Sequence, residues 1–273
     1  MGSNSKYIKF ADPEVARICI ANFSSNGKGV TYEDAAAVRS LGNVFAENSE
    51  IVTFDELQYF TGLRVLSGLY GCSRLTSITI PSGIPSTEYG WIRNSPSLRE
   101  ISFIGDPPTK PGYTFEGMPL MTRINVDSES AWLRLQADMF YYVSYPFNSI
   151  SNGLNGEIYV NGVKKNDFIV PNGTTRVPAG SFYRCNFNEL RFPASVSSIG
   201  TYVAAYCHIN RLVIMSLVPP DLEGEFWFAY ADMIYVPYSS DHSIIEAYKT
   251  DSKWGHYQTK IFELNPDGTI PNN

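Results

Sequence analysis

Apolar residues in the first half of the chain recur at a constant spacing of 23 residues. A fixed period in this range is typical of stacked repeats, in which each unit buries its apolar face only against its neighbours. The last two members of each apolar triplet lie two residues apart, so they share one face of a strand. The pattern therefore predicts coils that each carry one short strand. The three triplets are Leu75, Ile78 and Ile80; Leu98, Ile101 and Phe103; and Met121, Ile124 and Val126.

A second series follows with a period of 22 residues, and Cys185 and Cys207 keep its register. Between the two series, Asn161 and Gly162 separate two strand-like runs, which predicts a hairpin that opens a second block. Each block ends in a helical closure, over residues 128–147 and 243–264. The apolar pairs of the second series are Phe168 and Val170, Leu190 and Phe192, and Leu212 and Ile214.

Residues 7–60 read as a helical N-terminal cap. Asp12 is placed to cap a first helix that has Pro13 at its first position. Thr31 and Asp34 match a capping box that opens a second helix, with Gly42 as its end. A third short helix is predicted over residues 54–60.

The loop between the first two helices resembles a degenerate EF-hand. With Gly29 as the sixth loop residue, Lys28 and Ala35 take ligand positions five and twelve, and an ammonium group repels calcium. With Gly27 as the sixth residue the loop starts at Asn22, and Glu33 is its only carboxylate. Both registers favour a structural turn, and the sequence leaves calcium binding open.

Two segments identify a resemblance to a known family. Residues 72–83 (CSRLTSITIPSG) and 185–200 (CNFNELRFPASVSSIG) resemble the BspA-like leucine-rich repeat, the Treponema-type variety. The IYVP and AYK segments near the C-terminus are similar to the usual ending of such proteins from gut Bacteroidetes. The resemblance implies a binding or adhesive surface, often displayed on bacterial cells, with no catalytic site of its own.

These observations predict an α+β fold, a single elongated solenoid of short-strand leucine-rich repeats in two blocks. The predicted domains are a helical N-terminal cap with the EF-hand-like loop (1–60), a first repeat block with its closure (61–150), and a second block with a C-terminal cap (151–273).

The outward positions of the repeat strands form the candidate binding face. A solvated face and a ligand-binding face are equally compatible with their mixed chemistry. The aromatic runs at residues 140–142 and 226–230 are predicted to lie in the core under the closures. The candidate binding residues are Thr79, Ser102 and Asn125 in the first block, and Arg191, Val213 and Tyr235 in the second.

Composition excludes some functions. A net charge of −6 argues against a nucleic-acid partner, which requires a basic footprint. The sequence contains no run of about 18 apolar residues, so it predicts no membrane span. The chain has 3 histidines and no nucleophile or metal motif, so we predict no catalytic site, metal or cofactor. Glu223 and Glu225 could suggest a catalytic carboxylate pair, but we predict that they lie in a solvated loop.

The sequence is compatible with either free thiols or a disulfide at the repeat cysteines. The repeat cysteines Cys185 and Cys207 are most simply buried thiols stacked on successive coils. If the protein is exported, they could approach disulfide distance, because neighbouring strands lie about 4.8 Å apart. No signal peptide is evident, so either the chain is not exported by that route or a signal has been removed and residues 1–5 are not native.

The leading hypothesis is a non-catalytic recognition or adhesion protein that binds a protein or glycan at a bacterial surface. The second is a structural subunit of a phage particle, such as a decoration or fibre component, which would place the chain in a virion. The third is a hydrolase with an unrecognised site, which would need a deep pocket with clustered carboxylates or a Cys-His pair.

Overall fold

The protein divides into two compact units, Met1–Val163 and Lys164–Asn273. Successive coils in both units are joined by parallel strand pairing. The computed structural model describes residues 6–108, 115–136, 147, 149–151, 153–224, 227–228 and 230–271.

The first unit begins with the predicted helix, α1 (Pro13–Phe23). Asp12 is its N-cap, and Oδ1 of this residue accepts hydrogen bonds from the Glu14 and Val15 amides at 2.8 and 3.2 Å. The other oxygen, Oδ2, accepts from the Val52 amide at 2.6 Å. One buried carboxylate therefore satisfies the helix start and also fastens the helix to the segment that enters the first strand.

The capping box of α2 (Tyr32–Ala37) is present as predicted, but the helix ends before Gly42. Its C-cap, Val38, is extended, and the Arg39 carbonyl accepts from the Arg64 amide at 3.0 Å. Pairing with the segment around Arg64 therefore replaces the last helical turn. The third predicted helix forms as a 3-10 helix, Asp55–Tyr59.

The sheet of the first unit consists of one short strand from each coil. Ile78, Ile101, Ile124 and Ile158 lie side by side in register, with their side chains buried. The sheet starts within the segment predicted to be helical cap, because the first strand precedes the leucine pattern. The parallel strands are β1 (Thr53–Phe54), β2 (Ser77–Ile80), β3 (Glu100–Phe103), β4 (Arg123–Val126) and β5 (Glu157–Val160).

The predicted hairpin is confirmed. Asn161 and Gly162 have φ of 50° and 75°, as a type I′ turn requires, and join β5 to β6 (Val163–Lys164). The prediction that this hairpin opens a second block was wrong, because β5 pairs with β4 of the first sheet. Helix α3 (Glu129–Gln136) lies between β4 and β5 and lengthens that coil, which removes the 23-residue signal.

The second unit repeats the arrangement with the predicted 22-residue register. Leu190, Leu212 and Ile234 are aligned across its main sheet. Helix α4 (Ser243–Thr250) and a 3-10 helix (Trp254–Lys260) precede its last strand. The main sheet contains β7 (Asp167–Ile169), β9 (Phe187–Phe192), β11 (Ile209–Ile214), β13 (Ala231–Val236) and β14 (Ile261–Glu263), and a smaller sheet contains β8 (Arg176–Val177), β10 (Ser198–Ile199) and β12 (Asp221–Leu222).

Aromatic rings and thiols fill the core of the second unit. The ring of Phe182 lies 5.0 Å from that of Phe168 and 5.5 Å from that of Phe187. Cys185 and Cys207 are buried free thiols, and the Cys207 thiol donates to the Phe182 carbonyl. Burial raises the pKa of both thiols above its ordinary value. These cysteines therefore act as small core residues.

Mixed helix and strand repeats thus confirm the predicted α+β repeat class. The single elongated solenoid stays a prediction.

Replacing Leu212 with alanine should lower the free energy of unfolding of the second unit by about 2–5 kcal/mol. Leu212 is fully buried between β9 and β13, so its loss leaves a cavity in the middle of the sheet. Urea unfolding measures the change. The control is Asn210→Ala on the same strand, where the side chain is exposed and the expected effect is within about 0.5 kcal/mol. Equal effects of the two substitutions would contradict the packing described.

Candidate functional site

The structure aligns the three candidate residues of the first unit in one row. Thr79 is paired with Ser102, and Ser102 with Asn125, and all three side chains are half-buried. The Thr79 hydroxyl donates to Oδ1 of Asp55 at 3.0 Å, and Oδ1 of Asn125 accepts from the Gly162 amide at 2.9 Å. Two of the three side chains are therefore engaged in hydrogen bonds within the protein.

A charged row lies beside it on the same face. Nη1 of Arg123 is 3.2 Å from Oε2 of Glu100, and its guanidinium carbon lies 4.5 Å from the centre of the Tyr159 ring. The Tyr159 hydroxyl donates to Oε2 of Glu157 at 3.3 Å. The outward face of the first unit is therefore a polar surface whose charges pair with one another.

The candidate residues of the second unit are also adjacent, but two of them are not exposed. Val213 pairs with Arg191 on one side and with Tyr235 on the other. Val213 and Tyr235 are 0% and 2% exposed. They form an apolar cluster with Leu264, against which Ile270 packs. At these two positions the face is not solvated, because the segment after β14 covers it.

A cleft of about 650 Å³ remains between this covering segment and the strands. Arg191 and Arg211 both point their guanidinium groups towards Glu189, with N–O distances of 2.9 and 3.5 Å. Glu189 offsets one of the two positive charges, so these three residues leave a net charge of +1. The cleft is lined by Arg191, Arg211, Met233, Tyr235, Gly268, Thr269, Ile270 and Pro271.

Sequence reasoning missed Arg211 and Met233, although a signal was present. Each lies two residues before a predicted site residue, and alternate residues of a strand share a face. The contribution of residues 268–271 had no such signal, because it depends on how the chain continues after its last strand.

The EF-hand-like loop is organised by its own backbone. Oδ1 of Asn26 accepts from the Lys28 amide at 2.8 Å, and the Ser24 hydroxyl donates to the Gly29 carbonyl at 2.5 Å. Two oxygens that a calcium site would need therefore hold the turn together. Throughout the described ranges, no group of three or more His, Cys, Asp or Glu side chains is placed to hold a metal ion.

Glu223 is held in an ion pair. Its carboxylate accepts from Nε and Nη2 of Arg176 at 2.8 and 2.5 Å, and from the Ser198 hydroxyl at 2.5 Å. The hydrogen bonds from Arg176 lower the pKa of Glu223, against a smaller opposing effect of burial. Glu225, the other carboxylate considered in the sequence, lies outside the described residues. Glu223 is thus a structural partner of Arg176.

The aromatic runs have mixed outcomes. Phe228 is fully buried, as predicted, whereas Tyr230 is 56% exposed. The run at residues 140–142, together with Phe226 and Ala229 of the second run, lies outside the described residues. None of the helices described is long and apolar enough to cross a bilayer.

Comparison with known proteins bears on the repeats. A family model described as "BspA type Leucine rich repeat region (6 copies)" matches residues 67–155 and 154–248. The matched ranges cover more than half of the chain and include the central strands of the main sheet of each unit. No curated protein sequence matches the chain.

Replacing Tyr235 with alanine should destabilise the second unit by about 3–5 kcal/mol, because the ring is buried beneath the segment after β14. Thermal or urea unfolding measures this. Ile169→Ala is the matched control, since Ile169 lies on the same row of the sheet but is 59% exposed. A change at Tyr235 no larger than at Ile169 would show that the face is open.

The Glu223 ion pair should make stability depend on pH. Because the pKa of Glu223 is lowered in the folded state, the ionised carboxylate stabilises the fold at pH values above the ordinary glutamate pKa of about 4.3. This contribution is lost as the pH falls through the folded-state pKa. Glu223→Gln should therefore cost up to about 1 kcal/mol at pH 7, since the pair is partly exposed, and the difference from wild type should shrink below about pH 4. Urea unfolding at several pH values tests this, with Glu246→Gln on α4 as the control. A difference that is constant with pH would contradict the assignment.

Proposed function

The chain belongs to the family of BspA-type leucine-rich repeat proteins, and on that premise we propose that it is a non-catalytic recognition protein that binds a protein partner. Repeats of this kind suggest a protein used in protein binding, and the family is typically non-enzymatic. Stacked repeats favour this role because they create extended surfaces from side chains at equivalent positions.

The observation that carries the proposal is the cleft of the second unit. Its volume of about 650 Å³ falls within the range typical of ligand pockets. Tyr235, Met233 and Ile270 provide an apolar wall, and two guanidinium groups provide fixed donors. An apolar centre with arginine at its edge is the composition that binding hot spots share.

The chemistry of the cleft defines the segment it would bind. Arg191 and Arg211 share Glu189, so the three groups offer about one uncompensated positive charge to a ligand. A carboxylate can pair with that charge through two parallel hydrogen bonds. A large apolar side chain next to the carboxylate would contact Met233 and Ile270. We therefore propose that the partner presents an acidic residue beside a large apolar residue.

The location and assembly of the protein form a further part of the proposal. Display on a bacterial surface is supported by the resemblance of residues 72–83 and 185–200 to BspA-type repeats. A subunit of a phage particle is the alternative, and immunogold labelling of intact cells against purified particles distinguishes the two locations.

Peptides selected from a random display library against the wild-type protein should be enriched in an acidic residue next to a large apolar residue. The double variant Arg191→Gln/Arg211→Gln should bind a synthetic form of such a peptide at least about tenfold more weakly, because it removes both charged donors from the cleft. Biolayer interferometry measures both dissociation constants, and circular dichroism checks the fold.

The control is the double variant Arg17→Gln/Arg64→Gln, which removes the same charge from two exposed positions of the first unit. It should bind the peptide as wild type does. Equal loss in both double variants would mean that net charge drives binding. Failure to enrich any peptide that requires Arg191 or Arg211 would overturn the proposed site.

A further inference from the structure

Three large residues in the turns of the second unit have a left-handed backbone. Arg184, Tyr202 and Tyr206 have φ of 58°, 54° and 59°. This conformation is uncommon outside glycine, asparagine and aspartate, because Cβ crowds the carbonyl oxygen. Strained residues of this kind concentrate at functional sites, which makes an observed group of them worth explaining.

The repeats provide an internal comparison for two of these positions. Arg184 and Tyr206 each precede a buried repeat cysteine, as does Gly71 in the first unit, where φ is 70°. The next two positions of that row, spaced 23 residues apart, are Asn94 and Gly117, with φ of 55° and 71°. The turn therefore needs a left-handed residue, and glycine or asparagine meets that need with less strain.

Tyr202 allows the same comparison in a second row of turns. The positions 22 residues before and after it are Gly180 and Gly224, with φ of 65° and 62°. The backbone again accounts for a left-handed residue and leaves the large side chain unexplained.

The side chains at these positions converge. The ring of Tyr206 is 60% exposed and lies 5.5 Å from the ring of Tyr183, edge to face. The guanidinium carbon of Arg184 is 5.8 Å from the centre of the Tyr206 ring. The Arg184 amide donates to the Ala205 carbonyl at 3.0 Å, which holds the two turns side by side.

The pKa of Tyr183 responds to the other residues of this group. Burial is the main reason that the pKa of Tyr183 is raised; Tyr206 and Tyr202 raise it further, and Arg184 opposes the shift. Arg184, Tyr202 and Tyr206 are thus each close enough to act on the Tyr183 phenol. We call this group, Tyr183, Arg184, Tyr202 and Tyr206, the tyrosine patch.

We propose that the tyrosine patch is a second binding site, separate from the cleft, that binds an acidic carbohydrate. The exposed ring of Tyr206 offers its electron-rich face to the C–H face of a pyranose. Arg184 has five N–H donors in a planar arrangement that matches the carboxylate of a uronic or sialic acid. The phenol group of the exposed Tyr206 can hydrogen-bond to a sugar hydroxyl.

A carbohydrate suits the patch better than a phosphate polymer. Binding of nucleic acid or an anionic membrane depends on several basic residues acting together, whereas the patch contributes one arginine and the chain carries a net charge of −6. One arginine beside aromatic rings matches a ligand with one carboxylate on an otherwise uncharged ring.

The probe is a hexasaccharide of alternating glucuronate and N-acetylglucosamine, with its carboxyl-reduced form as the uncharged comparison. Wild type should bind the acidic form at least about tenfold more tightly than the reduced form. Tyr206→Gly should weaken binding of the acidic form at least about tenfold without lowering the melting temperature by more than about 3 °C, because Gly71 and Gly117 already hold the same turn position. Isothermal titration calorimetry and thermal unfolding provide the two readouts.

Arg184→Gly is the second variant, which keeps the test valid if Tyr206→Gly does not fold. It should abolish the preference for the acidic form. The matched control is Glu47→Gly, which relieves a left-handed residue with φ of 56° in the first unit and should leave affinity unchanged. Arg191→Gln/Arg211→Gln should also bind the hexasaccharide normally, so this proposal and the proposed function fail separately. Lack of binding by wild type, or full affinity in both patch variants, would overturn the proposal.

Discussion

The structure depends on backbone pairing between successive coils. A strand of four residues cannot satisfy its own N–H and C=O groups, and buried groups of this kind must be paired. In both units these groups pair with the strand one coil away, which fixes the register of every coil relative to the next. Stacking then places equivalent residues side by side. Buried isoleucines align in the first unit, and the outward rows align for the same reason.

This constraint explains which parts of the fold can be predicted from sequence. The strand register follows from a constant period, so the sequence predicts the pairings of Ile78 with Ile101 and of Leu190 with Leu212. The coil that contains α3 has no such period, because a helix is inserted between two strands that still pair. The position of β5 therefore could not be inferred from spacing, although its hairpin turn could.

The candidate site shows a similar division. Alternation along a strand predicts which residues share a face, and the strand pairings place the three candidate residues of each unit in one row. Exposure is a different property, because it depends on segments distant in sequence. Val213 and Tyr235 face outward but are covered by Leu264 and its neighbours. An apolar residue at an outward position, where the first unit has Ser102 and Asn125, is the signal that could have indicated a cover.

Repeats also allow side chains to be compared without any second sequence. Left-handed backbone at a large residue costs about 1–2 kcal/mol relative to glycine. Several coils of this fold have such a residue at the same turn, and three of those in the first unit are Gly71, Asn94 and Gly117. The second unit uses Arg184 and Tyr206 instead and remains close-packed around Phe182. Since the turn does not need these two side chains, the reason that Arg184 and Tyr206 occupy these positions must lie in what they contact at the surface.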